Sequence, residues 1–351
     1  MCPFNSLPLM EAGERAFLEG YDLETKCIRY HEFGNPQHVL RIENKKMESP
    51  GRGEVLVRMI ARPINPSDLI PITGAYSHRI SLPDIPGYEG FGIVVEAGPS
   101  VSQELIGKRV LPLRGEGTWQ HFVKASADWV VPLPDYIEDY IAAQLYINPV
   151  SAWLTCTEIL NLKSDDVVIV NACGSSVGRI FAQFSKILGF RLIAVTRNDS
   201  YTKELLQLGA SYVINTTVMP LHPTIMELTN GLGAHAAIDS VGGTSGTDLA
   251  FCVRPNGILL TIGLLSGKPV NWAEITHKAQ VNVKMFHLRY WNQQVSVQAW
   301  HDTFNQLISL LYDKRLSLML PKSHYDLTEI HEAVRAAVTY EANQGKVFLT
   351  S

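Results

Sequence analysis

Residues 172–178, Ala-Cys-Gly-Ser-Ser-Val-Gly, are a run of small side chains between an apolar, β-branched stretch, Val167 to Val170, and an amphipathic one. A turn of that kind can bring backbone N–H groups and the positive end of a helix against a pyrophosphate. The spacing reads Ala172-x-x-Ser175-x-x-Gly178, with small residues standing in for glycine; Cys173 and Ser175 hold the usual glycine positions. Ser175, Ser176 and Val177 are therefore candidate contacts to a dinucleotide. About twenty residues further on, where an NAD-binding chain offers an acid to the ribose, stands Thr196-Arg197-Asn198, with no acid before Asp199. An acid would repel a 2′-phosphate, whereas a guanidinium pairs with it in a fork. Thr196, Arg197 and Asn198 are candidate cofactor contacts, and the expected cofactor is NADPH. The plainer reading of Arg197 is a solvated charge at a strand end.

Those residues need a strand–turn–helix–strand unit to position them. Val167–Val170 is short and apolar enough for a buried strand. Val177, Ile180, Phe181, Phe184, Ile187 and Leu188 fall on one helical face, and Gly189 can stop that helix. Around this unit strands and helices alternate. Strands are expected at 167–171, 191–196, 211–214, 235–239, 257–263 and 281–288, with helices at 177–188, 201–208, 223–230 and 245–253. That pattern is a six-strand, parallel, doubly wound sheet. Before it, 25–135 is rich in Gly and Pro with short β-type runs at Glu54–Ile60, Phe91–Glu96, Gly107–Leu113 and Trp119–Lys124, the texture of a mostly β domain. Helices are expected at 137–147 and 151–160, broken at Pro149, and at 297–313 and 327–340, with a last strand at 346–349.

Composition excludes several classes. At 351 residues the chain is long enough for two domains, and with 46% apolar residues it can bury substantial cores. A net charge of −4 without long basic runs argues against nucleic acid as a partner. The five cysteines, Cys2, Cys27, Cys156, Cys173 and Cys252, contain no C-x-x-C and read as reduced thiols of a cytoplasmic protein. No stretch is apolar enough to span a membrane, and no signal peptide is evident. Residues 1–24 read as an extension.

Several separate stretches over 26–351 resemble the medium-chain dehydrogenase/reductase superfamily. Asn65-Pro66-Ser67-Asp68 is similar to the N-P-x-D of its zinc-free quinone-reductase branch, and Pro86-Gly87-Tyr88-Glu89-Gly90 to its P-G-x-E segment. Ile238–Gly243, Asn256–Gly263 and Gly345-Lys346-Val347 resemble later strands of the superfamily. The resemblance implies an α/β fold: a GroES-like, β-rich catalytic domain (25–148 and 291–351, after the 1–24 extension) and a Rossmann cofactor domain (149–290). Zinc-dependent members carry a Cys in the first of these segments and a His in the second; this chain has Pro66 and Ser67, and Tyr88. A four-cysteine lobe is missing between Cys27 and Cys156. Zinc needs such ligands, so no metal is expected. Without a Lewis acid, the chemistry that remains is hydride transfer to an already activated acceptor.

Closer still, Asn65-Pro-Ser-Asp-Leu-Ile-Pro-Ile-Thr-Gly-Ala-Tyr76 resembles the N-P-S-D…G-x-Y of the 2-enoyl thioester reductases. In that family the Tyr lies at the active site, which implies Tyr76 as proton donor or orienting group; Asn65, at the head of the same motif, is the second candidate catalytic residue, its amide able to bond the cofactor's nicotinamide ribose or an acceptor carbonyl. Gly117-Thr118-Trp119 resembles the family's G-T-W, Tyr146-Ile147-Asn148-Pro149 its V-N-P, and Phe286-His287-Leu288-Arg289-Tyr290-Trp291 its F-W-L-x-x-W, with His287 where that family has Trp. The resemblance implies further cofactor contacts at Asn148, at Gly263, Leu264 and Leu265, and at Phe286, His287 and Leu288. From pattern alone, Tyr76 reads first as a packed surface aromatic, Asn65 equally as a turn former, Trp119 and Tyr146 as core residues, and Lys346 as a strand-edge charge.

Two functional classes follow: an NADPH-dependent reductase of a trans-2-enoyl thioester (or of a quinone or alkenal), and a non-catalytic NADPH-binding protein. A homodimer is expected through the strand 257–263, taken as an apolar sheet edge.

Overall fold

The computed structural model describes residues 24–339 and 345–351, which pack as two units. One holds the described residues up to Ala143 together with those from Pro321 onward; the other is Gln144–Leu320. The expected 1–24 extension lies outside the described residues except for Glu24, which opens the first strand.

In the first unit the strand Glu54–Pro63 is the hub. It pairs antiparallel with Phe91–Ala97, with Phe122–Ser126 and with the closing strand Lys346–Thr350. The sheet extends through Pro321–Asp326 on one side and through Arg109–Leu111 and Val131–Pro132 on the other. A separate hairpin joins Glu24–Tyr30 to Leu40–Lys46. The fully buried Trp119 packs in a core with Ile28, Tyr30 and Leu349, so its core reading holds. Gly87, at φ +100°, is required here. A Cβ would lie 2.4 Å from both Thr118 Oγ1 and Trp119 Cδ1, so the P-G-Y-E and G-T-W segments need each other.

The second unit is a six-strand sheet, parallel throughout. Its order across the sheet is Tyr212–Asn215, Arg191–Thr196, Val167–Val170, Ala234–Asp239, Val253–Thr261, Asn282–Met285. Numbered along the chain this is 3-2-1-4-5-6, the dinucleotide-binding order. Every residue of Val167–Val170 is buried, as a central parallel strand requires. The helix Ser176–Leu188 buries Ile180, Phe181 and Phe184 and ends on Gly189 at φ +86°.

Four expectations change. The helix Val297–Tyr312 belongs with the second unit, because Trp300 and Phe304 pack on Tyr146 at centroid distances of 5.6 and 6.2 Å. The domain limits therefore fall at 143/144 and 320/321. Pro149 does not break a helix; it sits in the first turn of Ile147–Leu154, where a missing N–H costs nothing. The strand expected at 281–288 ends at Met285, and a helix the pattern did not reveal, Leu288–Gln294, follows it. Finally, Val253–Thr261 is flanked on both sides, and the sheet edge on that side is the exposed strand Asn282–Met285.

Candidate functional site

In the second unit the candidate cofactor residues gather at the carboxyl ends of the parallel strands. Ala172 takes φ +48°, and the Ser175 N–H closes the turn onto its carbonyl at 2.9 Å. Ser175 caps the helix, its Oγ accepting the Gly178 N–H at 3.3 Å. The Ser176 and Val177 N–H groups, in the first turn, have no intrahelical carbonyl to bond. The turn is tight because its glycines allow no Cβ. At Gly178 a Cβ would meet the Cys173 backbone at 2.4 Å; at Gly174 it would meet the Tyr201 ring at 2.4 Å. Cys173 itself is buried, and burial pushes its thiol up to about 12, so it is an inert small residue here. The cradle of small residues at a helix N-terminus fits a pyrophosphate.

At the end of the second strand, Thr196 is buried and its hydroxyl donates to the Asn198 carbonyl at 2.9 Å, shaping the strand end. Arg197 is exposed. The first acid beyond it, Asp199, accepts from Asn215 Nδ2 at 3.0 Å, and the Asn198 side chain accepts the Ser200 N–H. Gly263, Leu264 and Leu265 follow the fifth strand, with the Leu265 N–H on the Ser240 carbonyl at 3.1 Å. Phe286 is tied to Thr261 at 3.0 Å, and His287 caps the next helix by accepting the Arg289 N–H through Nδ1 at 3.1 Å. Leu288 opens that helix. Asn148 sits elsewhere, half-buried in the first turn of Ile147–Leu154. The Ser176 hydroxyl turns to Met319 Sδ at 2.8 Å, leaving its N–H as the group suited to a phosphate.

Two supporting residues were not singled out from the sequence. Arg179 donates to the Gly174 carbonyl at 3.1 Å and pairs with Glu204 at 2.8 Å, bracing the turn. Asp239, fully buried, accepts from Asn171 Nδ2 at 2.6 Å and from the Val241 and Gly242 N–H groups at 2.9 Å. It thereby fixes the Ser-Val-Gly-Gly turn after the fourth strand. The aspartate ahead of paired glycines was the available signal.

In the first unit, Asn65 precedes the helix Pro66–Ile72, and Asp68 returns to accept the Asn65 N–H at 2.8 Å. The N-x-x-D spacing of a capping box carries this in the sequence. The same carboxylate accepts the Tyr88 N–H at 3.0 Å, and Asn65 Nδ2 donates to Glu89 at 2.7 Å. Lys346 Nζ donates to Asn65 Oδ1. Lys346 is thus not a strand-edge charge; it is buried with Asn65, Asp68 and Glu89. Burial raises the Asp68 carboxyl to about 7, against its hydrogen bond from the Asn65 N–H and with help from Glu89. Burial likewise lowers the Lys346 ammonium, against the pull of Glu89 and Asp68. Tyr76 is half-buried, with the Arg79 guanidinium 4.0 Å over its ring. Partial desolvation, with the charge of Asp68 next, raises the Tyr88 phenol, although the residue is 46% exposed; Tyr76 is among the smaller influences on it. Among the described residues, no three His, Cys, Asp or Glu side chains converge on a point.

A β-rich unit with a buried polar cluster and a doubly wound unit with a phosphate-type turn define a two-domain dinucleotide-dependent enzyme class. Residues 176–311 match the zinc-binding dehydrogenase family model and 51–135 the alcohol dehydrogenase GroES-like domain. The enoyl-[acyl-carrier-protein] reductase, mitochondrial, of Xenopus tropicalis is 33% identical over 81% of this chain and 83% of its own length. A Bacillus thuringiensis structure, named provisionally an NADPH:quinone reductase, is 61% identical over 94% of this chain and 99% of that one, with a TM-score of 0.92. Etr1p, of the Candida tropicalis 2-enoyl thioester reductase, in complex with NADP and crotonyl-CoA, is 26% identical over 94% of this chain and all of its own, with a TM-score of 0.80. The chain belongs to the medium-chain dehydrogenase/reductase superfamily, in its zinc-free, quinone-oxidoreductase-like branch.

Proposed function

We propose that this chain is an NADPH-dependent reductase of an activated C=C bond, with a trans-2-enoyl thioester as substrate. The observation that carries the cofactor choice is the exposed Arg197 at the strand end, with Asp199 held by Asn215. The N–H groups of Ser176 and Val177 would take the pyrophosphate and Arg197 the 2′-phosphate. Bound NADPH supplies the hydride. The remaining candidate cofactor contacts are Ser175, Thr196, Asn198, Gly263, Leu264, Leu265, Phe286, His287, Leu288 and, from a separate helix, Asn148.

Reduction at the β-carbon leaves negative charge on the thioester carbonyl and calls for a proton at the α-carbon. Tyr76 is the proposed donor, through its phenol hydroxyl. Asn65 is the proposed amide donor or acceptor to ligand. The enoyl reductase relatives and the crotonyl-CoA bound to Etr1p support the thioester. The quinone or alkenal reading rests on the Bacillus structure and on His287, which stands where the thioester reductases carry Trp. A homodimer formed through the exposed edge strand Asn282–Met285 is also proposed. The cytoplasm is the proposed location; the relatives' mitochondrial naming supports the alternative. Parallel assays of NADPH oxidation with crotonyl-CoA, a longer enoyl-CoA and a 1,4-quinone test the function. Fastest turnover of an enoyl-CoA supports the thioester, fastest turnover of the quinone favours the second reading, and none favours a binding protein.

A further inference from the structure

Lys346 reaches Asn65 by register. The closing strand pairs Phe348 with Pro63 and Leu349 with Arg62, and the Ile64 N–H donates to the Val347 carbonyl at 2.9 Å. Continued by one step, the pairing sets Lys346 opposite Asn65. Glu89 comes from a third segment, the turn that packs on Trp119. The outcome is an amide bonded at both ends by opposite charges: its oxygen accepts from an ammonium, and in the capping box from the Asp68 N–H as well, and Nδ2 donates to a carboxylate. All three side chains are buried: Asn65 is 2% exposed, Glu89 1% and Lys346 7%.

A side-chain amide has two flip states of nearly equal shape, told apart only by hydrogen bonding. Here the flipped state would set N–H against the ammonium and C=O against the carboxylate. In a buried, low-dielectric place both contacts are costly. The backbone of Asn65 is pinned as well, since Asp68 accepts its N–H. We propose that Lys346 and Glu89 are positioning residues for Asn65, locking its amide in one flip state and so holding in place the reductase-site turn that opens the helix Pro66–Ile72. The proposal rests on the reading above that Asn65 serves the reductase site.

The test is a double-mutant cycle with a spectroscopic arm. Lys346→Met and Asn65→Ala should each lower kcat/KM by about ten- to a hundred-fold, the loss of one charge-assisted hydrogen bond. The double variant should be no worse than the poorer single one, because Lys346 acts through Asn65. Independent, multiplying losses would overturn the proposal. In nucleotide-free protein labelled with 15N-asparagine, the Asn65 side-chain amide, assigned by its absence in Asn65→Ala, should exchange slowly with solvent. That protection should fall in Lys346→Met; unchanged exchange would refute the lock. If Lys346→Met does not fold, the near-isosteric Glu89→Gln decides: it should shift the Asn65 amide resonances and speed their exchange, and unmoved resonances refute the role. Should the unmodified protein turn over no acceptor, the functional reading fails, while the exchange measurement still decides the positioning.

Discussion

Gly178→Ala separates what the phosphate turn does from what the fold needs. A methyl at Gly178 would lie 2.4 Å from Cys173 Cα and 2.5 Å from its carbonyl oxygen. Ordinary contacts begin near 3.4 Å, so the helix start and the turn must part by about an ångström. The obstacle is backbone, so no rotamer change relieves it. Overpacking of this kind costs about 1–3 kcal/mol, offset in part by the roughly 1 kcal/mol that Ala gains over Gly in a helix. The melting temperature should therefore fall only modestly. Displacing the Ser176 and Val177 N–H groups should cost one or two hydrogen bonds to a charged ligand, about 1.5–3 kcal/mol each. NADPH affinity, measured by fluorescence titration or calorimetry, should weaken by about ten-fold at least. Gly189→Ala is the control. It strains a left-handed cap at φ +86°, at the far end of the same helix, and should lower stability without changing the affinity of the folded protein. Unchanged NADPH binding by folded Gly178→Ala would refute the assignment of the turn.

Arg197→Ala should erase most of a preference for NADPH over NADH that we expect to be about ten-fold, ~1.4 kcal/mol, in direct binding; equal affinities in the unmodified protein would contradict it. Tyr76→Phe should lower kcat and kcat/KM together by roughly 10²–10⁴ if its hydroxyl is the acid, and leave NADPH affinity unchanged. Asp68 carries a pH dependence whose sign is opposite to that of a paired carboxylate. Its folded value of about 7 lies above the ordinary 3.8, so between these the folded state binds the extra proton and stability falls as pH rises. Urea unfolding across that window should show the fall in the unmodified protein and a flatter profile in Asp68→Asn. Light scattering should give twice the 39.0 kDa chain mass, and Met285→Lys on the edge strand should shift it toward the monomer.

The doubly wound sheet was legible because its signals are local: buried β-branched strands, helical periodicity in Ile180–Phe184, and Gly189 as a stop. The edge of that sheet was not, since Asn282–Met285 is short and exposed and gives little apolar pattern. Trp272–Lys278 was missed although Asn271 accepts the Glu274 N–H, a cap the N-x-x-E spacing advertises. Asn65 and Tyr76 were reached through motif resemblance, and the structure shows how differently they are held: one locked among charges, the other under Arg79. Lys346 shows the limit. Its partner lies 281 residues away, and only the register of the closing strand makes a surface-type lysine a buried one.

The proposed reaction is hydride transfer from NADPH to the β-carbon of an enoyl thioester. It is tested most directly by a single turnover of crotonyl-CoA with NADPH deuterated at the transferable position of the nicotinamide, and mass analysis of the acyl product. The expected product is butyryl-CoA carrying one deuterium at the β-carbon and a solvent-derived hydrogen at the α-carbon. Crotonyl-CoA returned unreduced from an enzyme saturated with NADPH would contradict it.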